Sequence, residues 1–375
     1  ILFDAVRQNS IIEEAFKSRN LNYTNYITNS WTTPSIVSLF SGKTPSEMSS
    51  MGIGYNDHYE NLSEEEKKRW NKEMIFNQLP DDWKIHIHAI PVTRGDTKDK
   101  QYVPDEICEI DRPINIYHYG YDEKYRAGTI PPSAKNVMKN MQNLSNDENH
   151  FIFIKYNNYH DSIRTKATGP KSNQITTPSL EEALQELTEV IDTIDFEEEN
   201  SLFWIFADHG HFQNIDVFMK PPDSWLTWVS ITDNITNKKV TKDVISCLDF
   251  KNTVLNRIYD KKLPNDVLDE FDENRIYISE DGRVSYIDEE GVHRFNGEKT
   301  FGLKCCTSVS SIKNLGENKF IQLVYHGPNK EMKIIVYDNK NESFVETDKD
   351  YGLLDEIKNG VWKWYLEMEE KDWEK

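Results

Sequence analysis

Two carboxylates, an imidazole and two hydroxyls stand out in this sequence because each flanks a stretch that reads as regular structure. Asp4 closes the apolar opening run Ile1-Leu2-Phe3, and Asp208 and His209 directly follow the apolar run from Leu202 to Ala207. Thr32 and Thr33 precede Pro34 and a short apolar helix, whose first-turn amides can hold an anion. In an open α/β sheet, ligands gather at the carboxyl ends of strands. Oxygen and nitrogen donors of this mix suit a divalent metal ion, and a hydroxyl touching such an ion becomes a nucleophile. Plainer readings exist for each part. Asp4 can pair with Arg7, Asp208-His209-Gly210 can be a capped turn, and the threonines can cap the helix. Taken one by one, the residues leave both readings open.

The elements that must position these groups follow from hydrophobic pattern. Phe151 to Tyr156, Leu202 to Ala207 and Trp225 to Ile231 read as buried strands, and Lys84 to His88 alternates with a period of two. Between them lie helices: one capped by Ser10 with Glu13, one starting at Ser63 and running to about Asn77, and one capped by Ser179 with Glu182. The last presents Leu180, Ala183, Leu184, Leu187, Ile191 and Ile194 on one face. Strands separated by capped helices predict an α/β domain with a largely parallel sheet. Beyond residue 265 the pattern changes to short strands split by turns, including Phe320 to Tyr325 and Met332 to Tyr337, which predicts an antiparallel meander. A closing helix is expected from Leu353 to Glu370. The expected division is an α/β domain over 1–264 and an antiparallel-sheet subdomain over 265–375.

The chain has 375 residues and a formal charge of −20. That balance excludes nucleic acid as a main partner, because phosphate backbones require a basic footprint. With 12% aromatic residues the chain is a folding one rather than an acidic disordered one. No apolar run is long enough to span a bilayer. The sequence starts at Ile1 without a leader-like segment, and placement inside or outside the cell stays open. The four cysteines Cys108, Cys247, Cys305 and Cys306 form neither a disulfide framework nor a zinc motif. His86 and His88 share a strand face and suit either a metal or a structural pair. Tyr102, Tyr117, Tyr119 and Tyr121 suit either a sugar or lipid head-group surface or packing.

Trp31-Thr32-Thr33-Pro34-Ser35, followed by Ser38-Leu39-Phe40-Ser41-Gly42-Lys43 and by Pro45-Ser46, resembles the sulfatase signature of the alkaline phosphatase superfamily. Ile1 to Arg7 is similar to the family's opening strand with a metal-binding Asp at Asp4. Phe206-Ala207-Asp208-His209-Gly210 is similar to its second metal pair. The resemblance implies an alkaline-phosphatase-like, mostly parallel sheet flanked by helices, with a smaller C-terminal antiparallel sheet. It places the nucleophile at Thr32 and the metal on Asp4, Thr32, Asp208 and His209. It also puts charge-neutralising or proton-donating groups at Lys43, His160 and Lys220. Residues 333–350 resemble the last strands and acidic stretch of sulfatases, so the likeness spans nearly the whole chain.

Three departures narrow what the resemblance implies. Formylglycine is made from Cys or Ser, and Thr32 yields no aldehyde. Thr is the nucleophile in phosphate-directed relatives, which points to phosphate esters ahead of sulfate esters. Ile36 stands where the signature has Arg, and Ala5 where the opening pair has its second Asp. The expected cofactor is one divalent ion (Ca, Mn or Zn), and the expected partner is an anionic ester, such as a glycan or lipid head group. The segments 92–135 and 161–178 are expected to line its rim. A sulfate-ester hydrolase without formylglycine and a non-catalytic binding module are the alternatives.

Overall fold

A computed structural model describes residues 1–7, 10–29, 32–44, 47, 64–88, 113–117, 119, 133–156, 180–210, 225–269, 275–281, 285–287, 293–295, 308–326, 331–341 and 343–349. Apolar runs such as Phe151 to Ile154 and Leu202 to Ala207 carry side chains suited to burial on both faces, as central strands require. They form the middle of an eight-stranded sheet. Its strands are β1 (Leu2–Phe3), β2 (Thr24–Ile27), β3 (Lys84–His88), β4 (Ile114–Ile116), β5 (His150–Tyr156), β6 (Leu202–Ala207), β7 (Leu226–Asp233) and β8 (Val244–Ser246). The spatial order is β4-β3-β5-β1-β6-β7-β2-β8. All neighbours are parallel except β7, which runs antiparallel to both β6 and β2.

Six α-helices occur among the described residues: α1 (Ser10–Ser18), α2 (Thr32–Ser41), α3 (Glu64–Glu73), α4 (Ala134–Met141), α5 (Leu180–Thr193) and α6 (Phe250–Tyr259). The 3.6-residue periods of α1, α4 and α5 place Phe16, Val137, Leu187 and Ile191 against Phe3, Ile154 and Tyr156 on one face of the sheet. On the other face, Val37 and Phe40 of α2 and Val254 of α6 pack with Leu2, Phe153 and Phe206. Helix α3 is shorter than its pattern predicts. It stops at Glu73 and gives way to a 3-10 turn over Ile75–Gln78, which buries Ile75 and Phe76. Side chains take over the carbonyls that the lost turn would have used. Asn77 Nδ2 donates to Asn71 O at 2.9 Å, Gln78 Nε2 to Lys72 O at 2.7 Å, and Lys251 Nζ to Glu73 O at 2.7 Å. The same Lys251 ammonium donates to Ser41 O at 3.0 Å, so one buried cation closes two helix ends.

The meander forms a separate five-stranded antiparallel sheet in the order β15-β14-β13-β12-β9. Its strands are β9 (Tyr277–Asp281), β12 (Ser308–Gly316), β13 (Lys319–His326), β14 (Glu331–Asp338) and β15 (Ser343–Glu346), while β10 (Ser285–Ile287) pairs with β11 (His293–Phe295) alone. Ile27, Trp225, Leu226 and Val244 of the large sheet share a core with Tyr277, Ile312, Phe320 and Tyr337 of the small one. The expected helix from Leu353 to Glu370 lies outside the described residues. Among those residues no helix is long and apolar enough to cross a membrane.

Candidate metal and nucleophile site

β1 and β6 lie side by side, with Leu2 level with Phe206 and Phe3 with Ala207. Extending that register by one residue brings Asp4 level with Asp208 just past the strand ends. Both are buried, and so is His209. One ligand atom from each of Asp4, Asp208 and His209 lies within 4.8 Å of the others, so the three form a group able to hold a metal ion. Thr32 opens α2 rather than preceding it, and its side chain points at the same group. Its Oγ1 is 3.2 Å from His209 Nε2 and 3.4 Å from each carboxylate oxygen of Asp4.

The hydrogen bonds around this group set its chemistry. His209 Nδ1 donates to Gly210 O at 2.5 Å, which turns Nε2 towards Thr32 and Asp4, the nitrogen a neutral ring would offer to a metal ion. Asp208 Oδ1 accepts from the backbone N–H groups of Ala5 at 3.1 Å and His209 at 3.0 Å. The capped-turn reading of Asp208 is therefore correct for one oxygen. The other, Oδ2, is buried with no hydrogen-bond partner among the described residues, and lies 3.8 Å from His209 Nε2. Such an atom is costly unless a cation or donor meets it. A hard oxygen donor, a second carboxylate and an imidazole lone pair in one buried place match the donor set of a divalent ion. Burial is the largest cause holding the Asp208 carboxyl above the usual carboxylate range, and the neighbouring Asp4 adds to it. His209 and Lys155 act in the opposite direction.

Lys155 was not singled out by the sequence pattern. It interrupts the apolar run of β5, is 1% exposed, and sets its Nζ 3.7 Å from Asp4 Oδ2. The remaining expected site residues are placed differently. Lys43 follows the far end of α2, about 15 Å of helix from Thr32. Gly42 there adopts a left-handed φ of 66° and donates its N–H to Ser38 O at 2.9 Å. The Gly42-Lys43 pair thus acts as a helix terminus, with the glycine where the backbone requires one. The structure brings Asp4, Thr32, Asp208 and His209 together and leaves Lys43 apart from them. His160 and Lys220 lie outside the described residues. Ile36 turns into the apolar core at 1% exposure. Ala5 has a φ of 62°, a left-handed conformation that L-residues seldom adopt.

His86 and His88 form a different polar cluster on the helix-α4 side of the sheet. His150 Nε2 donates to Ser145 O at 2.9 Å, so its bare Nδ1 accepts from His86 Nε2 at 3.0 Å. His86 Nδ1 in turn accepts from Tyr117 Oη at 3.0 Å. His88 Nδ1 meets Tyr119 Oη at 2.5 Å, and its ring stacks on Tyr117. Each ring nitrogen of His86 and His150 has a protein partner, which favours the structural reading over a metal. Burial is the main cause pushing both His86 and His88 down to about 4.

The sign of the resulting pH dependence follows from the unfolded histidines, which titrate near 6.5. Below that value the unfolded chain binds protons that the folded chain refuses, so stability falls as pH drops from about 6.5 towards 4. Thermal unfolding should show a melting temperature that declines across this window. A His86→Asn/His88→Asn variant should lose much of the decline, and an unchanged slope would remove these residues as its cause.

The arrangement of the large sheet, its flanking helices and the separate antiparallel sheet is similar to that of a solved protein of the alkaline phosphatase superfamily. Among solved structures, a protein of that superfamily from Vibrio parahaemolyticus superposes with a TM-score of 0.54 at 11% identity. The match covers 99% of this chain and 86% of the Vibrio chain. No family model matches the sequence. No curated protein matches it either.

Proposed function

We propose that this chain is a metal-dependent hydrolase or transferase acting on phosphate esters, with Thr32 as the nucleophile. The observation that carries the reading is the position of Thr32 Oγ1, 3.2 Å from His209 Nε2 and 3.4 Å from both oxygens of Asp4. Asp4, Asp208 and His209 would hold one divalent ion, with Thr32 at its edge. Such an ion supplies Lewis-acid polarisation and makes a nearby hydroxyl more acidic. Thr32 Oγ1 attacks phosphorus as the bond to the leaving oxygen breaks, and the hydroxyl proton has acceptors in Asp4 and His209. Water or an acceptor alcohol then resolves the phosphothreonine. His160 and Lys220 are assigned to the transferred group, where they neutralise charge and protonate the leaving oxygen. The five-stranded sheet belongs in this reading to a subdomain over 265–375 that closes the catalytic unit over 1–264. An anionic glycan or lipid head group is the favoured substrate class.

A panel of aryl phosphate, phosphodiester and sulfate esters, each with Ca, Mn, Mg and Zn, tests the proposal. Turnover of a phosphate ester above that of the sulfate ester is expected with at least one ion. Sulfate turnover greatly exceeding phosphate turnover would favour a sulfatase-like hydrolase working without formylglycine. The burial of Ile36 in the core, where the signature's Arg would supply charge, favours a non-catalytic binding protein as the second reading. Metal binding without turnover of any ester would select it.

A further inference from the structure

The candidate metal group gathers two carboxylates of the same sign where little water reaches them, with Asp4 3% and Asp208 0% exposed. Uncompensated charges in such a place strongly oppose folding. The register of β5 with β1 pairs Lys155 with Leu2 and therefore sends the lysine to the sheet face that Asp4 also uses. Its ammonium stands 3.7 Å from Asp4 Oδ2, at 1% and 4% side-chain exposure for the two partners. No step of the proposed chemistry uses this lysine.

We propose that Lys155 is a resident countercharge for Asp4, which stabilises the metal-free carboxylate pair and lowers the affinity of the site for a divalent ion. This inference rests on reading Asp4, Asp208 and His209 as metal ligands. The formal charges of Asp4, Asp208 and Lys155 sum to one net negative charge. The carboxylates attract an arriving cation, and the ammonium repels it at nearly the same range, with little intervening water to screen either force. Removing the ammonium therefore has opposite effects on the empty and loaded protein. The empty site loses its compensation, while the loaded site gains attraction. A lysine that only filled space would give no such opposition, since its loss would lower stability and leave metal binding equal or weaker.

The experiment uses Lys155→Met in the full chain, because methionine keeps much of the side-chain bulk and removes the charge. After metal stripping, the variant should melt below the wild-type chain. Titration calorimetry with Mn2+ should give a dissociation constant about tenfold or more below the wild-type value. Asp4→Asn introduced into Lys155→Met should raise the melting temperature of the stripped protein again, because both members of the charge pair are then gone. If Lys155→Met does not fold, recovery of a folded protein by this double variant supports the countercharge, and failure of both variants overturns it. Wild-type binding of Mn2+ that Lys155→Met fails to tighten overturns this inference alone. Absence of Mn2+, Ca2+ and Zn2+ binding by the wild-type chain overturns the ligand assignment and the inference together.

Discussion

Thr32→Ala should lower turnover of the best phosphate ester by at least about a thousandfold, the scale on which loss of a nucleophile is felt when the rest of a site stays in place. The fold should survive the change. Thr32 sits in the first helical turn, and its hydroxyl contacts at 3.2 to 3.4 Å are long for hydrogen bonds. Loss of contacts that weak should cost no more than about 1 kcal/mol. Thr32→Ser keeps the hydroxyl and should retain measurable turnover, which separates loss of the oxygen from disturbance of α2. Single-turnover experiments with a chromogenic aryl phosphate give the readout, and the wild-type chain should carry phosphate on Thr32 when trapped by acid. Equal rates for the alanine variant and the wild-type chain would remove Thr32 from the chemistry.

Asp208→Asn should have the largest effect on metal binding, and it should act on stability with the opposite sign. The amide can keep accepting from Ala5 N and His209 N, the two bonds that Oδ1 now takes. What disappears is the charge that Oδ2 offers a cation. Affinity for a divalent ion should fall by at least about 100-fold, the upper end of what even outer-shell changes cost. Burial and Asp4 hold the Asp208 carboxyl above its ordinary range, so its ionised form is disfavoured on folding at neutral pH. The metal-free variant should therefore melt at or above the wild-type temperature while losing the thermal shift that added metal produces. A variant that keeps the metal shift would exclude Asp208 as a ligand. The exchange of stability for function is common where charges are buried for a purpose.

The central strands were readable from sequence because Phe151 to Tyr156 and Leu202 to Ala207 are long and apolar, and both form strands near their expected bounds. Asp4 and Asp208 were readable as strand-end groups for the same reason. The short strands Thr24–Ile27 and Val244–Ser246 carry too few residues to declare a period, and the pairing of the first with β7 and of the two with each other is a long-range property. Direction escaped detection for a related cause: nothing in the composition of Leu226–Asp233 reports that it runs opposite to β6 and β2. Lys155 offered one faint signal, a lone charge inside an otherwise apolar run. Its meaning depends on Asp4, which is distant in sequence and adjacent only through β1–β5 pairing. Lys43 shows the converse. The resemblance placed it in the site through the Gly42-Lys43 pair, whereas the length of α2 separates it from Thr32.

Asn29 gives the two sheets a common mechanical fate. Its side-chain amide donates to Pro34 O and Ser38 Oγ, both at 3.0 Å, and so seats the helix that begins with Thr32. Its carbonyl oxygen accepts from Glu280 N at 2.9 Å, in the strand that borders the small sheet. A displacement of that strand is therefore felt at the start of α2 through a single buried amide. In evolutionary terms the antiparallel sheet is a poor candidate for exchange as a cassette. A replacement would have to reproduce an amide hydrogen at Glu280 and an apolar face for Trp225 before the hydroxyl of Thr32 regained its address.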